Sequence, residues 1–175
     1  MYCGRIGKSL MEDAFAHHVW ATLRLVDTCL ALSPEQLETT VPGTYGSILD
    51  TLRHFIGSDA WDLCVATGDR ASLIEEGDMS LSELRAATES HGPAWSRLLA
   101  QDLDPDAVLN EVDPDDGYTR NIAMGIELAA ALQHGTDHRS QICTTLTALG
   151  VEAPRIDVLD FGMQVGRVVE VTPTS

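Results

Sequence analysis

Apolar residues along this chain recur mostly at spacings of three and four, the period of an amphipathic α-helix. Phe15, Val19, Leu23, Val26 and Leu30 form one such stripe and predict a first long helix over residues 9–32. Ser33-Pro34-Glu35-Gln36 reads as a new N-terminus. Ser33 caps, Pro34 takes the first helical position where no amide hydrogen is needed, and Gln36 completes a capping box. One short turn of helix is expected there. After a loop over 41–46, Ser47 caps a second long helix that runs to residue 67, with Leu52, Phe55, Ile56, Leu63 and Val65 on its apolar face. The stretch 71–79 is an acidic connector. Ser80-Leu81-Ser82-Glu83 is another capping box and opens a third long helix, whose buried side carries Leu84, Trp95, Leu98 and Leu99. Gly92-Pro93 in its middle predicts a kink or a fresh start.

Residues 104–121 lose the helical period. Two short apolar runs, 108–112 and 118–122, flank the turn signal Asp113-Pro114-Asp115-Asp116-Gly117 and admit a small hairpin. A fourth long helix follows over 124–149, stopped by Gly150. Val158-Leu159-Asp160-Phe161 then forms a last short helix or a docked tail. Four long helices with moderate connections predict an all-α fold, a four-helix bundle in a single domain over residues 1–175.

Composition narrows the function classes. With 11 basic against 27 acidic residues the net charge is −16, which repels phosphate backbones and anionic membranes alike, so nucleic acid is not an expected partner. No uninterrupted apolar run is long enough to span a bilayer, and Met1-Tyr2-Cys3-Gly4-Arg5 begins no signal core. Cys3, Cys29, Cys64 and Cys143 are widely spaced, with no CxxC pair. They read as small buried hydrophobes in a reducing cytoplasm.

The candidate chemistry lies in His134-Gly135-Thr136-Asp137-His138-Arg139. Histidines four apart share one face of a helix and can reach one cation. His54, on the apolar side of the second helix, is a third candidate, and three imidazoles would leave a coordination position open, as catalytic zinc sites do. The alternative is that these are surface or satisfied core histidines. Gly135, a poor helix former, implies close packing against it. Asp50, Glu127 and Asp137 are candidates to hold the second nitrogen of a ligand ring. Tyr45 and Trp61 are candidate pocket walls. Arg139 is a candidate anion contact, with a surface ion pair as the alternative. His18 is the one remaining histidine able to approach the site, although exposure is expected for it, and His91 is expected at a boundary or surface. A metalloprotease motif is excluded because Gly135 stands where the general-base Glu would be. No nucleophile elbow, dinucleotide-binding or P-loop pattern occurs.

Several of these stretches resemble the DinB family of metal-binding four-helix-bundle proteins. They are Trp20-Ala21 with Leu23 and Leu25, Ser33-Pro34-Glu35-Gln36-Leu37, Gly46-Ser47-Ile48-Leu49 through Leu52-Arg53-His54, and His134 through Ile142. Leu149-Gly150 and Asp157 through Phe161 complete the set. The resemblance implies that His54, His134 and His138 ligate a divalent cation, commonly zinc or nickel. It also implies a homodimer and a transferase or isomerase reaction using a low-molecular-weight thiol such as mycothiol, bacillithiol or glutathione. One departure is Ser140, where the family often has Gly; it leaves the histidines intact and bears on helix packing. The expectation is therefore a metal-dependent thiol S-transferase acting on a small molecule. The alternative is a non-catalytic metal-binding protein of the stress response.

Overall fold

In a computed structural model, which describes residues 10–74, 77–112 and 117–171, all four long patterns are helices. The element order is α1 (Leu10–Cys29), α2 (Pro34–Leu37), α3 (Ile48–Thr67), a single 3₁₀ turn (Arg70–Ser72), α4 (Leu81–Leu99), β1 (Val108–Val112), β2 (Thr119–Ala123), α5 (Met124–Ala148) and α6 (Val158–Gln164). The chain is thus mostly helical, but it is not a bundle of four helices alone. Six helices and a two-stranded sheet are present among the described residues. The excess comes from the connections and from the segment after α5, which carry enough local signal to form elements of their own.

Those signals act as expected. Ser33 Oγ accepts from Gln36 N at 3.3 Å while Gln36 Oε1 accepts from Ser33 N at 2.9 Å. The Ser80–Glu83 pair repeats the arrangement, and Ser47 Oγ accepts from Asp50 N at the start of α3. Helix α1 ends at Cys29, three residues short of expectation, because the amides of Ala31 and Leu32 bond back to Thr28 and Cys29 in a closing turn. Its expected first residue, Ser9, lies outside the described residues. Helix α4 runs through Pro93 unbroken. Pro93 cannot donate to the carbonyl of Glu89, but both residues face solvent, which can satisfy that carbonyl instead. The hairpin is antiparallel with Val108 opposite Ala123 and Val112 opposite Thr119, its second strand one residue later than expected. The turn at 113–116 lies outside the described residues.

The long helices pack in a ring, α1 against α4 and α5, and α3 against α5 and α4. Their inward faces form two apolar clusters at different heights. One joins Leu25, Leu52, Phe55, Leu84, Ile142 and Leu146; the other joins Phe15, Leu63, Trp95, Leu98, Leu128 and Ala131. Between them lies a layer of buried polar side chains, one or more from each long helix: His18 from α1, Asp59 from α3, His91 from α4 and Arg139 from α5. No helix among the described residues is long and apolar enough to cross a membrane.

Candidate metal centre

Helices α3 and α5 bring His54, His134 and His138 to one point. Their ligand nitrogens lie within 4.8 Å of one another, and among the described residues no fourth His, Cys, Asp or Glu completes the group. His134 Nε2 is 3.2 Å from His54 Nε2 and 3.0 Å from His138 Nε2. Nitrogens around a tetrahedral zinc at ordinary Zn–N lengths stand about 3.3 Å apart. The imidazole donor set and its spacing therefore fit a small divalent cation.

The polar partners reinforce that fit. Gln141 Oε1 accepts the backbone N–H of Tyr45 at 2.8 Å, which fixes the amide with its oxygen toward the site. The same oxygen is 3.3 Å from His138 Nδ1, so that nitrogen donates to it. The proton of His138 is then on Nδ1, and its Nε2 lone pair points at the other rings. Burial, aided by the neighbouring His138 and His54, pulls the His134 ring down to about 4. Burial likewise lowers His138, partly opposed by Gln141 and Asp137. Both effects favour rings with lone pairs near neutral pH. Tyr45 lies flat on His54, centroids 4.1 Å apart and planes 6° from parallel, and meets His138 edge-on. It is 58% exposed, so this side of the group opens to solvent.

The other sequence candidates are placed differently. Asp50 is exposed and its Oδ2 accepts from Ser47 Oγ at the N-terminus of α3. Asp137 is exposed and accepts from Gln133 Nε2 one turn earlier. These hydrogen bonds run along the carboxylates' own helices, and it is Gln141, not a carboxylate, that holds Nδ1 of His138. Ser140 is exposed. Trp61 is half-buried and donates to Glu111 Oε1 at 2.7 Å.

Arg139 is neither a surface ion pair nor turned to solvent as an anion contact. It is 3% exposed and donates to His18 Nδ1, Thr22 Oγ1 and Thr136 Oγ1. Because a guanidinium only donates, His18 Nδ1 accepts, and its Nε2 carries the proton given to Asp59 Oδ1 at 3.1 Å. Asp59 also accepts from His91 Nδ1 at 2.6 Å and Trp95 Nε1 at 3.2 Å. Burial alone would push the Asp59 carboxyl up; the His18 and His91 contacts outweigh it and hold the group well below the usual carboxylate range. Burial pulls Arg139 down to about 10, against the opposing charge of Asp59. His18 and His91, expected at the surface or a boundary, are therefore buried members of a network that backs the site. Helical period could have found them. His18 falls on the stripe Phe15, Thr22, Leu25, and His91 on the stripe Leu84, Thr88, Trp95, Leu98.

The sequence profile of the DinB family matches residues 8–166. The chain belongs to the DinB family. A search of curated proteins finds no match. Membership and the three-histidine group agree in pointing to metal binding.

Proposed function

We propose that this DinB protein is a metal-dependent enzyme that transfers a low-molecular-weight thiol to an electrophilic small molecule, or isomerises that molecule through the thiol. The observation that carries the reading is a group of three convergent imidazoles with an open side. Structural zinc sites are closed by four protein ligands, whereas catalytic ones keep an exchangeable position. His54, His134 and His138 would hold the cation, zinc or nickel, through their Nε2 atoms. When bound, it supplies a Lewis-acid position at which a thiol is kept as thiolate at neutral pH. Gln141 sets the His138 tautomer, and Tyr45 walls the His54 side and limits how a ligand enters.

Two of the protein's own cysteines, Cys29 and Cys143, support an external thiol. Cys29 is buried and pushed up to about 12, first by that burial and then by Cys143. Burial also raises Cys143. Neither is poised as a nucleophile. The reading includes a cytoplasmic homodimer, for which sedimentation at micromolar concentration is the direct check.

The test is metal analysis of the purified protein and of a His54→Ala variant, followed by spectroscopy of the cobalt-substituted protein. A four-coordinate spectrum that shifts on adding glutathione or another small thiol, with thiol consumption in the presence of electrophiles, is the expected outcome. Cobalt bound with no response to any thiol favours the non-catalytic alternative. Metal content unchanged in His54→Ala and in His134→Ala removes the site.

A further inference from the structure

Two different devices bring the three histidines of the metal centre together. His134 and His138 are four residues apart on α5, so their spacing follows from the helix itself. His54 comes from α3, and its Nε2 stands 3.2 Å from that of His134 only because the two helices keep one separation. A cation is sensitive to that separation, since ordinary Zn–N lengths span only about 0.1 Å. Residues that set it act on metal binding without touching the metal.

His18 touches the chain beside each of the three histidines. At α5 its ring lies against the backbone of Gly135, which follows His134. Its Nδ1 accepts from Nη1 of Arg139, which follows His138, at 3.1 Å. Its Nε2 donates at 3.1 Å to Oδ1 of Asp59, five residues after His54 on α3. Helices α1 and α3 each pack on α4 and α5 and so stand diagonally in the ring, which means that the His18–Asp59 bond crosses the centre of the bundle. A neutral imidazole on α1 therefore stands as a rigid spacer between a buried guanidinium on α5 and a buried carboxylate on α3.

Both ends of the bridge are anchored in turn. Arg139 Nη1 also donates to Thr22 Oγ1, and Nη2 to Thr136 Oγ1. Asp59 Oδ2 is held by His91 Nδ1 at 2.6 Å. His18 itself is 2% exposed, so water does not compete for either of its bonds.

We infer that His18 is a positioning residue of the metal centre: by bridging Arg139 and Asp59 while resting on Gly135, it holds α3 and α5 at the separation that lets His54 share one cation with His134 and His138. The cation in this statement rests on the metal-centre reading; the placement of the three rings by His18 does not.

The test is zinc affinity of the full-length protein, by competition with a fluorescent chelator, beside the cobalt spectrum. His18→Leu removes both bonds yet leaves Asp59 two donors and Arg139 two hydroxyl acceptors, so neither charge is stripped of partners. His18→Gln keeps one acceptor and one donor. Leu98→Ala opens the core on α4, a helix that carries none of the three histidines. The expected result is that His18→Leu binds zinc about tenfold or more weakly and alters the cobalt spectrum, while His18→Gln recovers most of the loss. Leu98→Ala should be less stable than the parent but bind zinc equally well. Should His18→Leu not fold, His18→Asn takes its place, with the same two functions on a stem too short to span both partners.

Full zinc affinity in the bridge-breaking variant overturns the inference. An equal loss in Leu98→Ala does so too, because any weakening of the core would then suffice, as does no recovery in His18→Gln. If the parent binds neither zinc nor cobalt, the metal-centre reading has failed, and the inference is judged by nuclear Overhauser contacts between the ring protons of His54 and those of His134 and His138 in the metal-free protein. Contacts seen in the parent and lost in the bridge-breaking variant support it. Contacts absent from the parent, or retained in the variant, overturn it.

Discussion

His18 and Gly135 are in direct contact across the α1–α5 interface. The space a Cβ at position 135 would need is occupied by the His18 ring, with Nδ1 2.9 Å from it and Cε1 overlapping it, and Arg139 Nη1, bonded to that Nδ1, also lies 2.9 Å away. The glycine that weakens the middle of α5 is what lets an imidazole approach the helix backbone and meet the guanidinium.

Gly135→Ala therefore should not behave like an ordinary helix substitution. On propensity alone it would gain about 1 kcal/mol. Overlap with a buried ring that is held at both nitrogens should instead make the variant less stable by roughly 1–3 kcal/mol. Urea denaturation checks this: the midpoint should fall with little change in slope. An increase in midpoint would mean that the His18 ring moves aside freely.

Asp59→Ala tests the network behind the site. The carboxylate takes protons from His18, His91 and Trp95 and is the buried counter-charge to Arg139. Removing it leaves three buried donors without their acceptor and a buried guanidinium without its counter-charge, a loss of about 3–5 kcal/mol. Asp137→Ala, on the exposed face of α5, should change stability by about 0.5 kcal/mol or less. Comparing the two by chemical denaturation separates the buried carboxylate from the exposed one.

The helical skeleton was readable because its signals are local. Capping boxes at Ser33 and Ser80, the cap at Ser47, and glycine stops at 68 and 150, both with φ of 73°, act over a few residues. The histidine pair was readable because i, i+4 spacing is itself local, and His54 because it falls on the apolar side of its own helix; the resemblance then joined the three as one ligand set. The polar layer was missed for the opposite reason. Asp59, His18, His91 and Arg139 come from four separate helices, and each looks solvent-seeking alone. Only the packing of all four shows that each satisfies the others. Gln141 carries no such signal in the sequence, because a neutral amide holds a ring nitrogen only once the backbone amide of Tyr45, distant in sequence, has oriented it.

Asp62 on α3 and Glu127 on α5 predict a pH dependence of stability with a definite sign. Asp62 rises from an ordinary 3.8 to about 8 in the fold, and Glu127 from 4.5 to about 6. Between the unfolded and folded values the native protein holds more protons than the unfolded chain, so stability falls as pH rises through that window. The loss begins near pH 4 and is complete above about 8, where Asp62, facing Glu127 on α5, Glu111 on β1 and Asp59 on its own helix, must ionise. The buried histidines act in the opposite sense at acid pH, so the difference between variant and parent is the quantity to read. Asp62→Asn should melt above the parent at pH 8 and converge with it near pH 4. Parallel curves for the two proteins would show that Asp62 carries no such penalty.

Gln141 gives the sharpest test of how the imidazoles are prepared for a cation. Its Oε1 receives both Tyr45 N–H and His138 Nδ1–H, and this keeps the His138 Nε2 lone pair directed at His134. Gln141→Leu removes that acceptor, so the ring is free to carry its proton on Nε2, where it opposes a metal. Affinity for zinc, measured by competition with a chromophoric chelator, should fall about 10–100-fold. The loss of these two hydrogen bonds, one exposed and one half-buried, should lower stability by only about 1–2 kcal/mol. Gln141→Glu keeps an acceptor at the same place and should retain the affinity that Gln141→Leu loses. Equal zinc affinity in all three proteins would show that the His138 tautomer does not depend on residue 141.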